Sequence, residues 1–310
     1  MMTGAVVEKE RQTIARYFSP GFSVHDGAAM ASPFVFCSPH SGRVYPPAFL
    51  EASRLDAVAI RKSEDSFVDD LFRPVGALGA PLIAAQFPRA YLDLNREPYE
   101  LDPLLFRDAL PSYANTRSVR VMSGLGTVAR IVADNEPIYR GALPVAVAYE
   151  RIERLYRPFH RALAALLEDR RRHFGAAVLV DCHSMPSQTA APTERSTFRD
   201  DGRRADIILG DRFGIACTAA LTCAMKDALQ RQGFDVALNR PYAGGYITEH
   251  YGRPAHHVEA IQIEVNRALY MNEHRYTRTN AFDAVQARLT AALDEVIHAR
   301  GAPNFAQAAE

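Results

Sequence analysis

The chain alternates between two hydrophobic rhythms. Uninterrupted short apolar runs occur at 33–38 (PFVFCS), 80–87 (APLIAAQF), 176–182 (AAVLVDC), 205–211 (ADIILGD), 234–239 (FDVALN) and 260–265 (AIQIEV). Their length and their content of Val, Ile and Phe predict strands, and continuous apolarity predicts strands buried on both faces, as in a mostly parallel sheet. Between them, around 54–73, 146–172, 216–231 and 280–299, apolar residues recur at steps of three and four, the period of an amphipathic helix. Strands alternating with helices predict an α/β fold: a single-domain, open, twisted, mostly parallel or mixed sheet with helices on both faces. No Gly/Ser linker, repeat or low-complexity tract divides the 310 residues. One domain over 1–310 is therefore expected, with its core at about 33–300 and frayed termini, including the tail from Gly301. The stretch 97–115 (EPYELDPLLFRDALPSYAN) carries three prolines and no clear period, which predicts a long surface loop.

Composition narrows the class. A hydrophobic content of 48% supplies a large core and excludes a disordered or fibrous chain. The 36 basic and 36 acidic side chains cancel, so no global field draws the protein to nucleic acid or to a membrane surface, and neither is an expected partner. The four cysteines, Cys37, Cys182, Cys217 and Cys223, form no CxxC pair, which suits reduced thiols in a cytoplasmic protein. The N-terminus (MMTGAVVEKERQTIARYF) meets charged residues before any apolar stretch, unlike a signal peptide, and no apolar segment approaches the length of a membrane span.

Open α/β sheets collect ligands outside the carboxyl ends of their strands, so candidate chemistry is sought there. The first apolar run leads into SPHSG and His40; the third leads into DCHSM and His183; the sixth carries Glu264 ahead of Asn266 and Arg267. A lone histidine after a strand is ordinarily a hydrogen-bonded loop residue. Two of them in the same context, each followed by a small residue (Ser41, Ser184), point instead to a shared metal, whose ligands are drawn from His, Asp and Glu. For the third ligand, RKSEDSFVDDLF (61–72) offers Glu64, Asp65, Asp69 and Asp70 near the start of a helix, where acidic residues are also favoured by the helix dipole. The spacing does not choose between Glu64 and Asp65. Asp181, two residues before His183, could orient an imidazole or simply bond backbone. In FPRAYLDLNRE (87–97), Arg89 and Arg96 are suited to clamping a carboxylate, or to plain surface solvation. In NRPYAGGYITEHYGRP (239–254), Gly244 and Gly245 permit a sharp turn or a close backbone approach, with Tyr246 adjacent; the lysine and Ser/Thr of a phosphate loop are missing.

Six motifs, SPHSG, EDSFVDDL, PRAYLDLNRE, DCHSM, YAGGYITEHYG and IQIEVNRALYM, stand in this order between about residues 33 and 275. Together they resemble the N-formylglutamate amidohydrolases, also called N-formylglutamate deformylases. The resemblance implies a fold like that of the zinc carboxypeptidases and aspartoacylases (phosphorylase/hydrolase-like). It also implies one Zn2+ per chain, or another divalent first-row metal. The implied reaction is hydrolysis of an N-formyl amino acid, N-formyl-L-glutamate or a related acidic compound, to formate and the free amino acid, as in histidine degradation. Carried over residue by residue, it implies His40, Asp65 and His183 as metal ligands, with Asp65 preferred to Glu64. It implies Glu264 as general base, and Arg89, Asn95, Arg96, Gly244, Gly245 and Tyr246 on the substrate side. The stretch 123–144 departs from the family pattern and leaves the amino-acid side chain open. Other readings are a different N-acyl-amino-acid amidohydrolase, a carboxypeptidase-like metallohydrolase, or a non-catalytic module that binds a small carboxylate. Glu264 speaks against the last, since a binder needs no base.

Overall fold

The computed structural model describes residues 2–26, 30–132, 135–187 and 205–301. Among these residues seven strands form one sheet: β1 (Phe22–His25), β2 (Phe34–Ser38), β3 (Leu82–Ala85), β4 (Ala177–Met185), β5 (Ile207–Gly210), β6 (Val236–Leu238) and β7 (Val258–Asn266), in the order β1-β3-β2-β4-β7-β5-β6. β4 runs parallel to both β2 and β7, β5 runs parallel to β6, and the β5–β7 pair is antiparallel. The sheet is therefore mixed, and the α/β class read from the apolar runs holds. A separate two-stranded ribbon joins β8 (Met271–Asn272) to β9 (Thr277–Arg278).

The helices are α1 (Met2–Tyr17), α2 (Pro47–Ala52), α3 (Val68–Phe72), α4 (Val119–Met122), α5 (Val145–Arg151), α6 (Arg157–Phe174), α7 (Ala219–Arg231), α8 (Tyr246–Tyr251) and α9 (Phe282–Gly301). The helix expected over 146–172 is α5 and α6, joined by one π-helical turn at Ile152–Tyr156. The helix expected over 54–73 is broken. Asp56 Oδ1 accepts the N–H groups of Val58 and Ala59 at 2.8 and 2.7 Å, as a helix cap does, but only a short 3-10 turn (Ala59–Arg61) follows, and Phe67 enters the left-handed region (φ 66°) just before α3. No helix or strand occupies 97–115, as predicted. Helix α9 continues through Gly301, and the rest of the tail lies outside the described residues.

The chain gathers into two compact units, one of residues 1–23, 39–64 and 84–162, the other of 24–38, 65–83 and 163–310. In the first, Arg151 is buried among aromatic rings. Its guanidinium lies 3.8 Å from the Tyr91 ring centroid, and its Nη1 donates to Tyr91 O and Tyr139 Oη at 2.8 Å each. Its Nε donates to Glu10 Oε1 at 2.5 Å, which ties α1 to α5. In the second unit, strand alternation sorts β4 and β7 into two faces. Val178, Val180, Cys182, Ile261, Ile263 and Val265 enter a hydrophobic cluster with α7 and α9 residues such as Met225 and Leu289. Asp181, His183, Gln262 and Glu264 therefore fall together on the other face, with Asp181 opposite Gln262 and His183 opposite Glu264.

Candidate metal centre

His183 and Glu264 are not at the strand termini that the apolar runs suggested. β4 and β7 extend to Met185 and Asn266, so both residues sit within the ladder as register partners. Both nitrogens of His183 face carboxylates: Nε2 is 2.9 Å from Asp181 Oδ1, and Nδ1 is 3.0 Å from Asp65 Oδ2. Burial opposes charge on this imidazole, but Asp181, then Asp65 and Glu264, outweigh it and hold its pKa well above the usual histidine value. Asp181 accepts a further bond from Thr248 Oγ1 at 3.1 Å. Asp65 Oδ1 accepts from Ser184 Oγ at 3.2 Å and from Arg267 Nη2 at 3.0 Å. Asp65 lies in the turn ahead of α3 rather than on a helix.

His40 follows β2 directly and is 1% exposed. Its Nε2 lies 2.7 Å from Asp93 Oδ1. Asp93 also accepts the Asn95 N–H at 2.8 Å on Oδ1 and Arg89 Nε at 2.9 Å on Oδ2, with Arg96 Nη2 3.5 Å from Oδ2. Burial would raise the pKa of this carboxyl, yet Arg89, Arg96 and His40 hold it well below the ordinary range. Arg96 is itself deeply placed. Its Nε donates to Leu125 O at 2.8 Å and its Nη1 to Asn95 O at 2.6 Å, and burial pulls its pKa down to about 10 against the pull of Asp93. Arg89 is the more open of the two, with its side chain 26% exposed against 6% for Arg96. Gly42 in SPHSG is required by a close approach, since a Cβ there would lie 2.1 Å from Phe87 O.

His40, Asp65 and His183 are all buried, and each offers one ligand atom within 4.8 Å of the others. Among the described residues this group could hold a metal ion, and it is the set of three that the family resemblance implied. Its donors fit a divalent cation: two imidazoles and a carboxylate are a common catalytic set, and three carboxylates around His183 supply charge for a cation to offset. Each imidazole has its Nε2 against a carboxylate, Asp93 for His40 and Asp181 for His183, so each would coordinate through Nδ1. Glu64 is engaged elsewhere, by Arg61 through two bonds of 3.0 and 2.8 Å and by Tyr45 Oη at 2.8 Å. Asp70 pairs with Arg73 at 3.1 Å.

On the proposed substrate side, Gly244 adopts φ 117°, a conformation that favours glycine, and Gly245 precedes α8. Tyr246, the first residue of α8, stacks on His250 with centroids 4.9 Å apart. Asn95 is buried beside Asp93. The sequence reading missed Asp93, although a signal existed: it is the acid flanked by arginines four residues before and three after it. It also missed Gln262, the polar residue that stands two places before Glu264 in AIQIEV.

Comparison with known proteins places the chain in a family. Residues 32–271 match the family model described as N-formylglutamate amidohydrolase. The N-formylglutamate deformylase of Pseudomonas aeruginosa is 30% identical over 244 residues, covering 78% of this chain and 83% of that protein. That of Pseudomonas putida is 29% identical over 254 residues, covering 81% and 85%. Among solved structures, the N-formylglutamate amidohydrolase from Ralstonia eutropha JMP134 superposes with a TM-score of 0.81 at 33% identity, over 90% of this chain and 99% of that one. A gene product from Agrobacterium tumefaciens shares the fold alone, with a TM-score of 0.59 at 18% identity over 89% and 96%. The match to the family model takes in every candidate residue from His40 to Glu264, and the chain belongs to the N-formylglutamate amidohydrolase family, hydrolases that act on an amide C–N bond.

Proposed function

We propose that this chain hydrolyses the formyl amide of an N-formyl amino acid, N-formyl-L-glutamate or a related acidic compound, to formate and the free amino acid. The buried His40, Asp65 and His183 group carries the reading, in a chain whose curated relatives are named N-formylglutamate deformylases. These three residues would hold one divalent metal, zinc by the donor set, with Asp93 and Asp181 fixing the two imidazoles. When bound, such an ion supplies Lewis acidity and makes water acidic enough to react near neutral pH. Glu264 takes the proton from the attacking water and delivers it to the amide nitrogen as the C–N bond breaks, so that water is divided between formate and the amine. Arg89 and Arg96 provide the positive charge for the substrate carboxylates, with Asn95 and the Gly244–Gly245–Tyr246 turn as further substrate contacts.

A formate-release assay on a panel of N-formyl, N-acetyl and peptidyl amino acids, with and without chelator, tests the reading. N-formyl-L-glutamate is expected among the best substrates, with activity abolished by chelation and restored by divalent metal. Release from none of the panel would reject the deformylase assignment, and chelator-resistant release would reject the metal. Glu264→Gln should keep its metal and lose roughly two to four orders of magnitude in turnover.

A further inference from the structure

Gln262 lies on β7 two residues before Glu264 and so shares its face; it is 4% exposed. Its side-chain amide makes two hydrogen bonds. Oε1 accepts the backbone N–H of Gly245 at 2.9 Å, and Nε2 donates to Glu264 Oε1 at 2.9 Å. The orientation follows from chemistry: a backbone N–H can only donate, so the amide oxygen must face Gly245, and the NH2 is thereby turned toward the carboxylate. One buried side chain thus joins the proposed base to the glycine turn that leads into α8. The register extends the connection. Gln262 stands opposite Asp181, and Asp181 holds both His183 and, through Thr248, the body of α8.

We propose that Gln262 is a positioning residue that sets the Glu264 carboxylate and the Gly244–Gly245 turn in fixed relation, so that the base and the substrate-side loop are placed together. The proposal rests on the assignment of Glu264 as general base. It accounts for a strongly polar residue on a central strand whose immediate neighbours, Ile261 and Ile263, are wholly buried. Methionine at this position would match the length of glutamine but remove both bonds. It would take this acceptor from the Gly245 N–H and this donor from the Glu264 carboxylate.

The test is a double-mutant cycle on the metal-loaded enzyme with N-formyl-L-glutamate: wild type, Gln262→Met, Glu264→Gln and the double variant. Gln262→Met is expected to bind metal as the wild type does and to lower kcat by about 10- to 100-fold, the scale of a misplaced catalytic group. In the Glu264→Gln background the same change should alter kcat by less than about threefold, because there is no base left to position. Gln262→Glu separates the two bonds. It keeps an acceptor for Gly245 but sets a like charge against Glu264, so KM should stay near the wild-type value while kcat falls. Gln262→Asn, which keeps the amide but shortens its reach, gives the same reading should the methionine variant fold poorly. Equal fold-losses from Gln262→Met in both backgrounds, or a Gln262→Met enzyme with native kcat, would overturn the proposal while leaving the function intact. A Glu264→Gln enzyme as fast as wild type would remove the base, and this proposal with it.

Discussion

Asp93→Asn is the substitution that most directly questions the candidate centre. Asparagine keeps the shape of the side chain and an oxygen for the Asn95 N–H, but removes the negative charge that lies against His40, Arg89 and Arg96. Two effects follow. Loss of the carboxylate behind a ligating imidazole weakens metal binding by about 10- to 100-fold, or about 1.4–2.7 kcal/mol. Separately, the buried Arg96 loses its nearest counter-charge. Breaking a buried ion pair costs about 3–5 kcal/mol. Arg96 retains the carbonyls of Leu125 and Asn95, and Arg89 is partly exposed, so the metal-free variant should lose about 2–4 kcal/mol. At roughly 2–4 °C per kcal/mol, its Tm should fall by roughly 4–16 °C. Competition with a chelator of known affinity measures the first effect, and calorimetry of the metal-free protein measures the second. Asp93→Asn with metal affinity within twofold of wild type would refute the role given to Asp93.

Other consequences can be checked with simple measurements. Gly42→Ala forces a Cβ to 2.1 Å from Phe87 O and 2.5 Å from the Gln86 carbonyl carbon, both backbone atoms, so the segment bearing His40 must move. A stability loss of about 2 kcal/mol or more, with reduced metal stoichiometry, is expected, and a native Tm with full metal would contradict the close approach. Glu10→Ala removes the carboxylate paired with buried Arg151; urea unfolding should register a loss of about 2–4 kcal/mol, tempered by the bonds Arg151 keeps to Tyr91 and Tyr139. Burial pushes the Cys37 and Cys182 thiols well up and that of Cys217 up to about 11, while Cys223 is exposed. A thiol reagent should therefore react rapidly with one cysteine in the native protein and with all four after denaturation.

Much of this arrangement was legible because strands buried on both faces leave little ambiguity in sequence. The runs at 33–38, 176–182 and 260–265 became β2, β4 and β7, and they delivered His40, His183 and Glu264. What the runs could not convey was where each strand stops. Apolarity ends at Cys182, yet β4 continues to Met185 because its ladder with β7 persists through polar residues. Where a helix breaks was also hidden: the apolar spacing over 54–73 is helical, but only a short 3-10 turn follows the Asp56 cap and Phe67 turns left-handed. Strand β1 and helix α1 escaped for a simpler reason: FSVH alternates apolar with polar residues and forms no apolar run, and polar side chains fill half of α1. Asp181 was readable as a partner of His183 because a spacing of two places both on one strand face. Asp93 lies 53 residues from His40, and no local pattern links such a pair.

The two imidazoles are held by different means, and this bears on how each fails. His183 sits within a strand that pairs with β2 as far as Asp181 and with β7 along its whole length, so its backbone is held in the β7 ladder, opposite Glu264, before any side-chain contact is counted. His40 lies just past the end of β2, where the Gly42 approach to Phe87 and the Asp93 carboxylate set its placement. Perturbations around His40 should therefore reduce metal affinity by more than they reduce the stability of the second compact unit. Changes that disturb the β4–β7 register should remove both together, because a slip of one residue exchanges the face bearing His183 and Glu264 for the face bearing Cys182 and Ile263.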